Sequence, residues 1–252
     1  MSTNWLEGLR TVRGVARSLR TYYGDSTRRA AMDRLYGQFV RRDDLVFDVG
    51  AHVGDRVGAF RRLGARVVAV EPQPALFRTL KLIHGRDRAV TIEPVAVGSG
   101  TGTLALEINV DNPTVSTASQ AFLKAADGAA GWEGQAWTRT VRVPVTTLDL
   151  LVARHGMPAF IKIDVEGFEA EALAGLTRPP PALSFEFTTI QRDVAAACIA
   201  RCAALGFTRY NAMLGESHVL VHAGWVNAQE IAAWLDALPH RANSGDIYAL
   251  LP

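Results

Sequence analysis

An open, mostly parallel α/β sheet, doubly wound with helices on both faces, is the fold class this sequence predicts. Three observations predict it. Short apolar runs at residues 45–49, 66–70, 160–163 and 183–187 lack the strict polar alternation of half-exposed strands, so they read as strands buried on both faces. Between them lie segments whose apolar positions recur at helical spacing, the alternation that builds βαβ units. Two of the runs end in glycine and acidic residues, Asp48-Val-Gly-Ala-His-Val-Gly54 and Asp164-Val-Glu-Gly167. In such sheets ligands sit outside the strands' C-terminal ends. The 252 residues allow one large domain over 43–252 with a short N-terminal helical extension, 1–42.

Taken in order, Trp5, Leu6, Leu9, Val12, Val15, Ala16 and Leu19 recur every three or four residues with Arg10, Arg13, Arg17 and Arg20 between them. This predicts an amphipathic helix packed on the domain as a lid or a homodimer element, with a second helix around Arg28–Phe39. A basic amphipathic helix can also lie on a membrane, but no second anchoring signal follows. Leu45–Val49 is the first strand; Gly50 and Gly54 punctuate it, and Val57, Phe60 and Leu63 begin a helix near Asp55. Arg66–Val70 is the second strand, with Glu71 at its tip. Pro72 and Pro74 open a helix through Ile83. Val90–Val97 reads as a third strand ending at Gly98-Ser-Gly100, and Leu104–Val110 as another. Residues 111–139 are Asn-, Thr-, Gly- and Ala-rich, with Trp132 and Trp137, and read as a mobile substrate-side flap. The competing reading is a surface insertion with its aromatics tucked on the core. Val141–Val145 is extended, and Thr146 or Thr147 caps a helix over Leu148–His155. Phe160–Ile163 is the next strand, and Gly167 opens a helix carrying Ala170, Leu173 and Leu176. Leu183–Phe187 carries Glu186. A helix over Ile190–Leu205, strands at Phe207–Tyr210 and His218–His222, a helix over Ala228–Leu238 and a strand at Ile247–Leu251 complete the chain.

The glycine pattern is Gly50-x-x-x-Gly54, not G-x-G-x-x-G, and no GxxxxGK[ST] loop occurs. The missing close-approach glycine argues against a pyrophosphate, and so against NAD or FAD. A nucleoside without phosphates fits better, and S-adenosylmethionine is the common one; Glu71 would accept the ribose hydroxyls. Lys162, inside an apolar strand, needs a partner, for which Asp164, Asp48 and Glu186 are candidates. The composition, 48% hydrophobic and 21% charged, is that of an ordinary globular protein, and a net charge of +2 gives no reason to expect a nucleic-acid partner. Cys198 and Cys202 share a helix face and read as small buried hydrophobes. With no signal peptide and no apolar run of membrane-spanning length, the expectation is a cytoplasmic protein.

Together, Val46-Phe-Asp-Val-Gly-Ala-His-Val-Gly54, Val70-Glu-Pro72, Ala96-Val-Gly98, Val145-Thr-Thr-Leu-Asp149 and Ile161-Lys-Ile-Asp-Val-Glu-Gly167 resemble the FkbM family of methyltransferases, with a similar Gly245-Asp-Ile-Tyr near the end. The resemblance implies the class I methyltransferase fold, a seven-stranded sheet with an antiparallel last strand. It implies S-adenosylmethionine as donor and O-methylation of a sugar, glycan precursor or small metabolite. It places Asp48, Gly50, Ala51, His52 and Gly54 on the methionine and sugar side of the pocket, Glu71 on the ribose, and Ala96 and Val97 by the adenine. His52 stands where many relatives carry asparagine and reads as a polar wall rather than a base. Asp164 and Glu166 are the candidate general bases, with Lys162 in support. Paired carboxylates can also hold a divalent cation, although none is expected. In the competing reading Asp164 caps the following helix or hydrogen-bonds the cofactor, and Glu166 is a surface residue. The rival functions are a nucleic-acid or protein methyltransferase and a non-catalytic or membrane-associated scaffold that keeps the fold.

Overall fold

The structure, a computed structural model, describes the backbone of residues 3–252 and side chains from Gly8 onward. Met1, Ser2 and the side chains of Trp5 and Leu6 lie outside the described residues. Two helices lead the chain, α1 (Thr3–Tyr23) and α2 (Ser26–Tyr36). Asp25 caps α2 by accepting the N–H groups of Thr27 and Arg28, donors that a helix start otherwise leaves unpaired. The domain then runs β1 (Leu45–Val49), α3 (Asp55–Arg62), β2 (Arg66–Val70), α4 (Pro74–His84), β3 (Val90–Glu93), β4 (Ala96–Val97) and β5 (Gly102–Ile108). It continues with α5 (Gln120–Ala126), β6 (Arg139–Thr146), α6 (Leu148–His155), β7 (Phe160–Ile163), α7 (Glu169–Ala174) and β8 (Ala182–Thr188). The last elements are α8 (Arg192–Ala204), β9 (Arg209–Leu214), α9 (Ala228–Ala237) and β10 (Ser244–Leu250).

Seven strands form one sheet in the order β3-β2-β1-β7-β8-β10-β9. β10 runs antiparallel to both its neighbours and the other pairings are parallel. This is the doubly wound class I arrangement expected. The order reverses between β1 and β7, which opens a crevice at their C-terminal ends. β1 and β7 are buried along their whole length because helices cover both faces. One layer packs Phe47, Ile161, Leu183 and Ile247 against α6–α9, and the other packs Val46, Phe60, Phe160 and Tyr248 against α2–α4.

Three expectations are corrected and one feature is new. The run Val90–Val97 is two strands in two sheets, because Pro94 has no N–H to continue a ladder. The second sheet, β4-β6-β5, was not anticipated. His218–His222 is not a strand; a single bridge, Met213 to Leu220, is all the pairing there. The segment 111–139 is folded, with a 3₁₀ turn at Pro113–Val115, helix α5, and a cluster of its own in which Phe122 meets Trp132 edge-on at 5.0 Å. The tucked-aromatic reading therefore describes it better than a loose flap.

The leading helix also sits differently from its amphipathic pattern. Gly14 faces the chain at Val110, where a Cβ would stand 2.6 Å from the Val110 carbonyl oxygen, and Ser18 is buried. Leu9 and Val12 are left 39% and 65% exposed. Backbone approach at the small residues has won over burial of the apolar stripe. Among the described residues no helix is long and apolar enough to cross a membrane.

Candidate active site

A cavity of about 280 Å³ opens at the C-terminal ends of β1, β2 and β7, where the order reverses. Gly50 at the end of β1 is the reason two distant motifs meet. Its φ of +83° suits glycine, and a Cβ there would lie 1.7 Å from the Asp164 carbonyl oxygen. The tip of β7 can therefore lie directly against the turn after β1.

That turn is tied down rather than open. The Gly50 and Ala51 N–H groups both donate to the Val70 carbonyl, at 2.9 and 3.0 Å, and the Gly54 N–H donates to Ala51 at 2.8 Å. Gly50, Ala51 and Gly54 therefore offer no bare backbone amide to a ligand. Gly54 lies outside the cavity lining, starts α3 with φ +85° and packs against Leu80 and His84. What the turn presents is Glu71. Its Oε2 accepts the His52 N–H at 2.9 Å and its Oε1 accepts the Gln73 N–H at 2.8 Å. Each carboxylate oxygen keeps a further lone pair for a donor. Burial raises the Glu71 pKa to about 8 against the pull of those two N–H groups.

Asp48, Ala51, His52, Ala96 and Val97 line the same cavity, as their motifs suggested. Burial lowers the His52 pKa to about 4, so the ring is neutral at pH 7. Its Nε2 lies 3.4 Å from the Thr114 hydroxyl and its ring meets Tyr22 edge-on at 5.3 Å. Asp48 is raised to about 7 by burial, although Lys162 pulls the other way.

The second motif forms the acidic end. Lys162, 2% exposed, lies beside Asp48 in register and donates to Asp164 Oδ2 at 2.6 Å. Burial would raise Asp164, but the ammonium outweighs it and holds the carboxyl below its ordinary range. Glu166 is not a surface residue: it is 7% exposed, with φ +54°, a conformation costly for a non-glycine residue. Four neighbours hold it there. The Thr117 hydroxyl donates to the Glu166 carbonyl at 2.6 Å, Phe122 and Gln191 leave no room for a Cβ at Gly167, and Glu169 Oε1 accepts the Val165 and Gly167 N–H groups. Asp164 accordingly does not cap α7. Burial, then the Asp164 and Glu169 carboxylates, push the Glu166 pKa well up; burial and the same neighbours do so for Glu186.

Sequence reasoning missed the far wall: Tyr22, Arg56, Thr114, Trp132, Glu216, Asn243 and Ser244. Arg56 bonds Asp55 Oδ2 and both oxygens of Glu216 at 2.6 Å. These residues come from α1, α3, the 111–139 segment and the chain near β9 and β10. No local motif joins them; the nearest signal was the aromatic content of 111–139.

The sheet order, the crevice at the reversal and the carboxylate at the tip of β2 define a class I methyltransferase fold. The FkbM methyltransferase domain matches residues 48–238, and the chain belongs to that family. Hexuronic acid methyltransferase AglP of Haloferax volcanii is 27% identical over 166 residues, 64% of this chain and 62% of that protein. Two solved structures overlap more loosely. A TehB-like SAM-dependent methyltransferase from Corynebacterium glutamicum has a TM-score of 0.45 and 12% identity, over 88% of each chain. Aeropyrum pernix fibrillarin with bound S-adenosyl-L-methionine has a TM-score of 0.43 and 12% identity, over 88% of this chain and 74% of that one. The family match alone carries the assignment.

Proposed function

We propose that the protein transfers a methyl group from S-adenosylmethionine to a hydroxyl oxygen of a sugar, with a uronic acid as the first class of acceptor to test. Support for the donor is the fit of the residues present. Glu71 has one uncommitted lone pair on each oxygen for a ribose diol, Ala96 and Val97 offer an apolar wall for a flat base, and Asp48 lines the same cavity. When bound, S-adenosylmethionine supplies a methyl group already activated by positive sulfur. Support for the acceptor class is family membership and the hexuronic acid methyltransferase from Haloferax volcanii to which the chain is similar.

The observation that carries the mechanism is the Lys162–Asp164 pair facing the cavity. An alcohol is too weak an acid to attack unaided, so a base must take its proton. Asp164 is ionised, its side chain is 28% exposed to the cavity, and Lys162 fixes its direction. The Asp164 carboxylate would take the hydroxyl proton as the acceptor oxygen attacks, and the donor, when bound, would supply the methyl group and leave as the neutral thioether. Tyr22, Trp132 and Thr114 close the acceptor side and exclude water. Seven carboxylates and two cationic side chains, Arg56 and Lys162, line the cavity, a poor surface for a nucleic-acid backbone.

The test is Asp164→Asn. Turnover should fall by roughly 10²–10⁴, while S-adenosylhomocysteine, measured by calorimetry, binds as to the parent chain. Full turnover in the variant would remove Asp164 from the reaction. Failure of the parent chain to bind S-adenosylhomocysteine would remove the whole reading. A labelled-methyl screen over uronic acids, neutral sugars and glycan fragments identifies the acceptor.

A further inference from the structure

Resting on that reading and extending it, we infer that Asp164, Glu166 and Glu186 form a binding site for one hard divalent cation, which holds two neighbouring oxygens of the acceptor. One ligand oxygen from each of the three lies within 4.8 Å of those from the other two. The sheet register explains why. Lys162 pairs with Ser184 and Asp48 with Lys162, so Asp164 and Glu186, each two residues further along, stand side by side on the same face at the strand tips. Glu166 reaches the same point from the loop that Thr117 and Glu169 clamp.

The surroundings point independently to a missing positive partner. Asp48, 1% exposed, lines the same cavity and its Oδ2 has no hydrogen-bond partner. Glu186 Oε2 is buried without a partner, and the hydrogen bond between the Glu186 and Asp164 carboxyl groups requires a shared proton, a place that a cation can take. The cations nearby are committed: Arg56 to Asp55 and Glu216, Lys162 to Asp164. Buried carboxylates are normally paired, hydrogen-bonded or bound to metal. Lys162 alone does not serve this group.

An all-carboxylate oxygen set selects Mg²⁺, Mn²⁺ or Ca²⁺ over softer ions. Ligand distances of about 2.1 Å for Mg²⁺ and about 2.4 Å for Ca²⁺ put neighbouring oxygens roughly 3.0 and 3.4 Å apart and opposite ones roughly 4.2 and 4.8 Å, so the three carboxylates, now within 4.8 Å of one another, draw in around the ion. Three protein oxygens leave positions for a sugar diol, or for a uronate carboxylate with its neighbouring hydroxyl. An anionic acceptor would otherwise be repelled by this wall. A hydroxyl bound there also becomes more acidic.

The experiment measures Mn²⁺ binding to the chelator-treated full chain by the loss of free-ion EPR signal, with Mg²⁺ and Ca²⁺ as competitors, beside S-adenosylhomocysteine titrations of the same samples. The expected result is one competable Mn²⁺ per chain. Glu186→Gln and Glu166→Gln should each weaken it at least tenfold while S-adenosylhomocysteine affinity stays within about twofold. Absence of saturable Mn²⁺ binding below 1 mM, or binding that neither substitution changes, overturns the cation site. If nucleoside binding is intact in either of those cases, the methyltransferase reading stands without the cation. If nucleoside binding fails while Mn²⁺ still binds, the cation site survives and the reading it extends does not.

Discussion

The two ends of the cavity are built by opposite means. The end at Glu71 is made of neighbours in sequence: Val49 to Gln73 contain one strand tip, one turn, one helix and the next strand tip, and backbone bonds from Gly50, Ala51, His52 and Gln73 lock them together. The end at Asp164 is made of remote parts. Lys162 and Asp164 lie on β7, Glu186 on β8, and Thr117 and Phe122, from the 111–139 segment, hold Glu166 in place. The first end is stiff because its polar groups satisfy one another. The second keeps unpaired buried oxygens on Asp48, Glu186 and Asp246, which cost stability unless a ligand or ion completes them. A recognition surface for an invariant nucleoside can be self-contained, whereas a surface for chemistry must leave valence unspent.

Gly50 is where the two ends touch, and breaking it should have the largest effect. Gly50→Ala forces a Cβ against the Asp164 backbone at a φ that only glycine adopts easily, so neither neighbour can yield. The expected loss is more than about 3 kcal/mol in urea unfolding, with loss of both nucleoside binding and turnover. Lys162→Met is next, because it leaves Asp164 without its cation and removes the positive charge that favours ionised Asp48 and Asp246. Removing one partner of a buried pair typically costs about 3–5 kcal/mol. Turnover should fall even at temperatures where the variant stays folded.

Glu71→Gln separates the ends. It should weaken S-adenosylhomocysteine binding by roughly ten- to a hundredfold, the size of one or two charge-assisted hydrogen bonds, without abolishing Mn²⁺ binding. It also carries a pH signature. The unligated protein holds a proton on Glu71 up to about pH 8, whereas ribose hydroxyls donate best to the ionised carboxylate. Affinity should therefore rise with pH from 6 to 8, by up to about tenfold per unit, and level off above; Glu71→Gln should flatten the slope. Stability of the unligated protein moves the opposite way. Glu71 at about 8, with Asp48 and Glu169 at about 7, all lie above their unfolded values. Between about pH 4 and 7 for Asp48 and Glu169, and up to about 8 for Glu71, the unfolded chain ionises these groups and the folded chain does not, so the urea midpoint should fall as pH rises through that range.

The same contrast explains what the sequence revealed. The strands β1, β2, β7 and β8 were legible because burial on both faces leaves unbroken apolar runs, and the Glu71 end because all its parts fall within thirty residues. Strand periodicity and the cost of an unpaired lysine narrowed the partner of Lys162 to Asp164, Asp48 or Glu186, and the structure pairs it with Asp164. The small sheet was hidden because one proline at 94 splits an otherwise continuous run. Gly54 was misplaced because a pattern cannot say whether a glycine faces a ligand or a helix, here α4. The wall of Tyr22, Arg56 and Glu216 was invisible, since contacts between residues up to 194 positions apart (22 to 216) leave no local trace.

The smallest effect concerns how firmly the leading helix closes the acceptor side. Tyr23 donates to the Val53 carbonyl at 3.0 Å and lies 3.3 Å from His84 Nε2, and Tyr22 beside it stacks under the Arg28 guanidinium at 4.6 Å. Tyr23→Phe removes one hydrogen bond from an otherwise intact contact and should cost about 1 kcal/mol. Tyr22→Ala removes a cavity wall instead. If α1 closes only the acceptor side, Tyr22→Ala should raise the acceptor KM several-fold and leave S-adenosylhomocysteine affinity unchanged, and Tyr23→Phe should give a weaker version of the same split. A matching loss of nucleoside affinity in both variants would mean that the helix braces the β1 turn through Val53, and the two ends of the cavity would then be mechanically one.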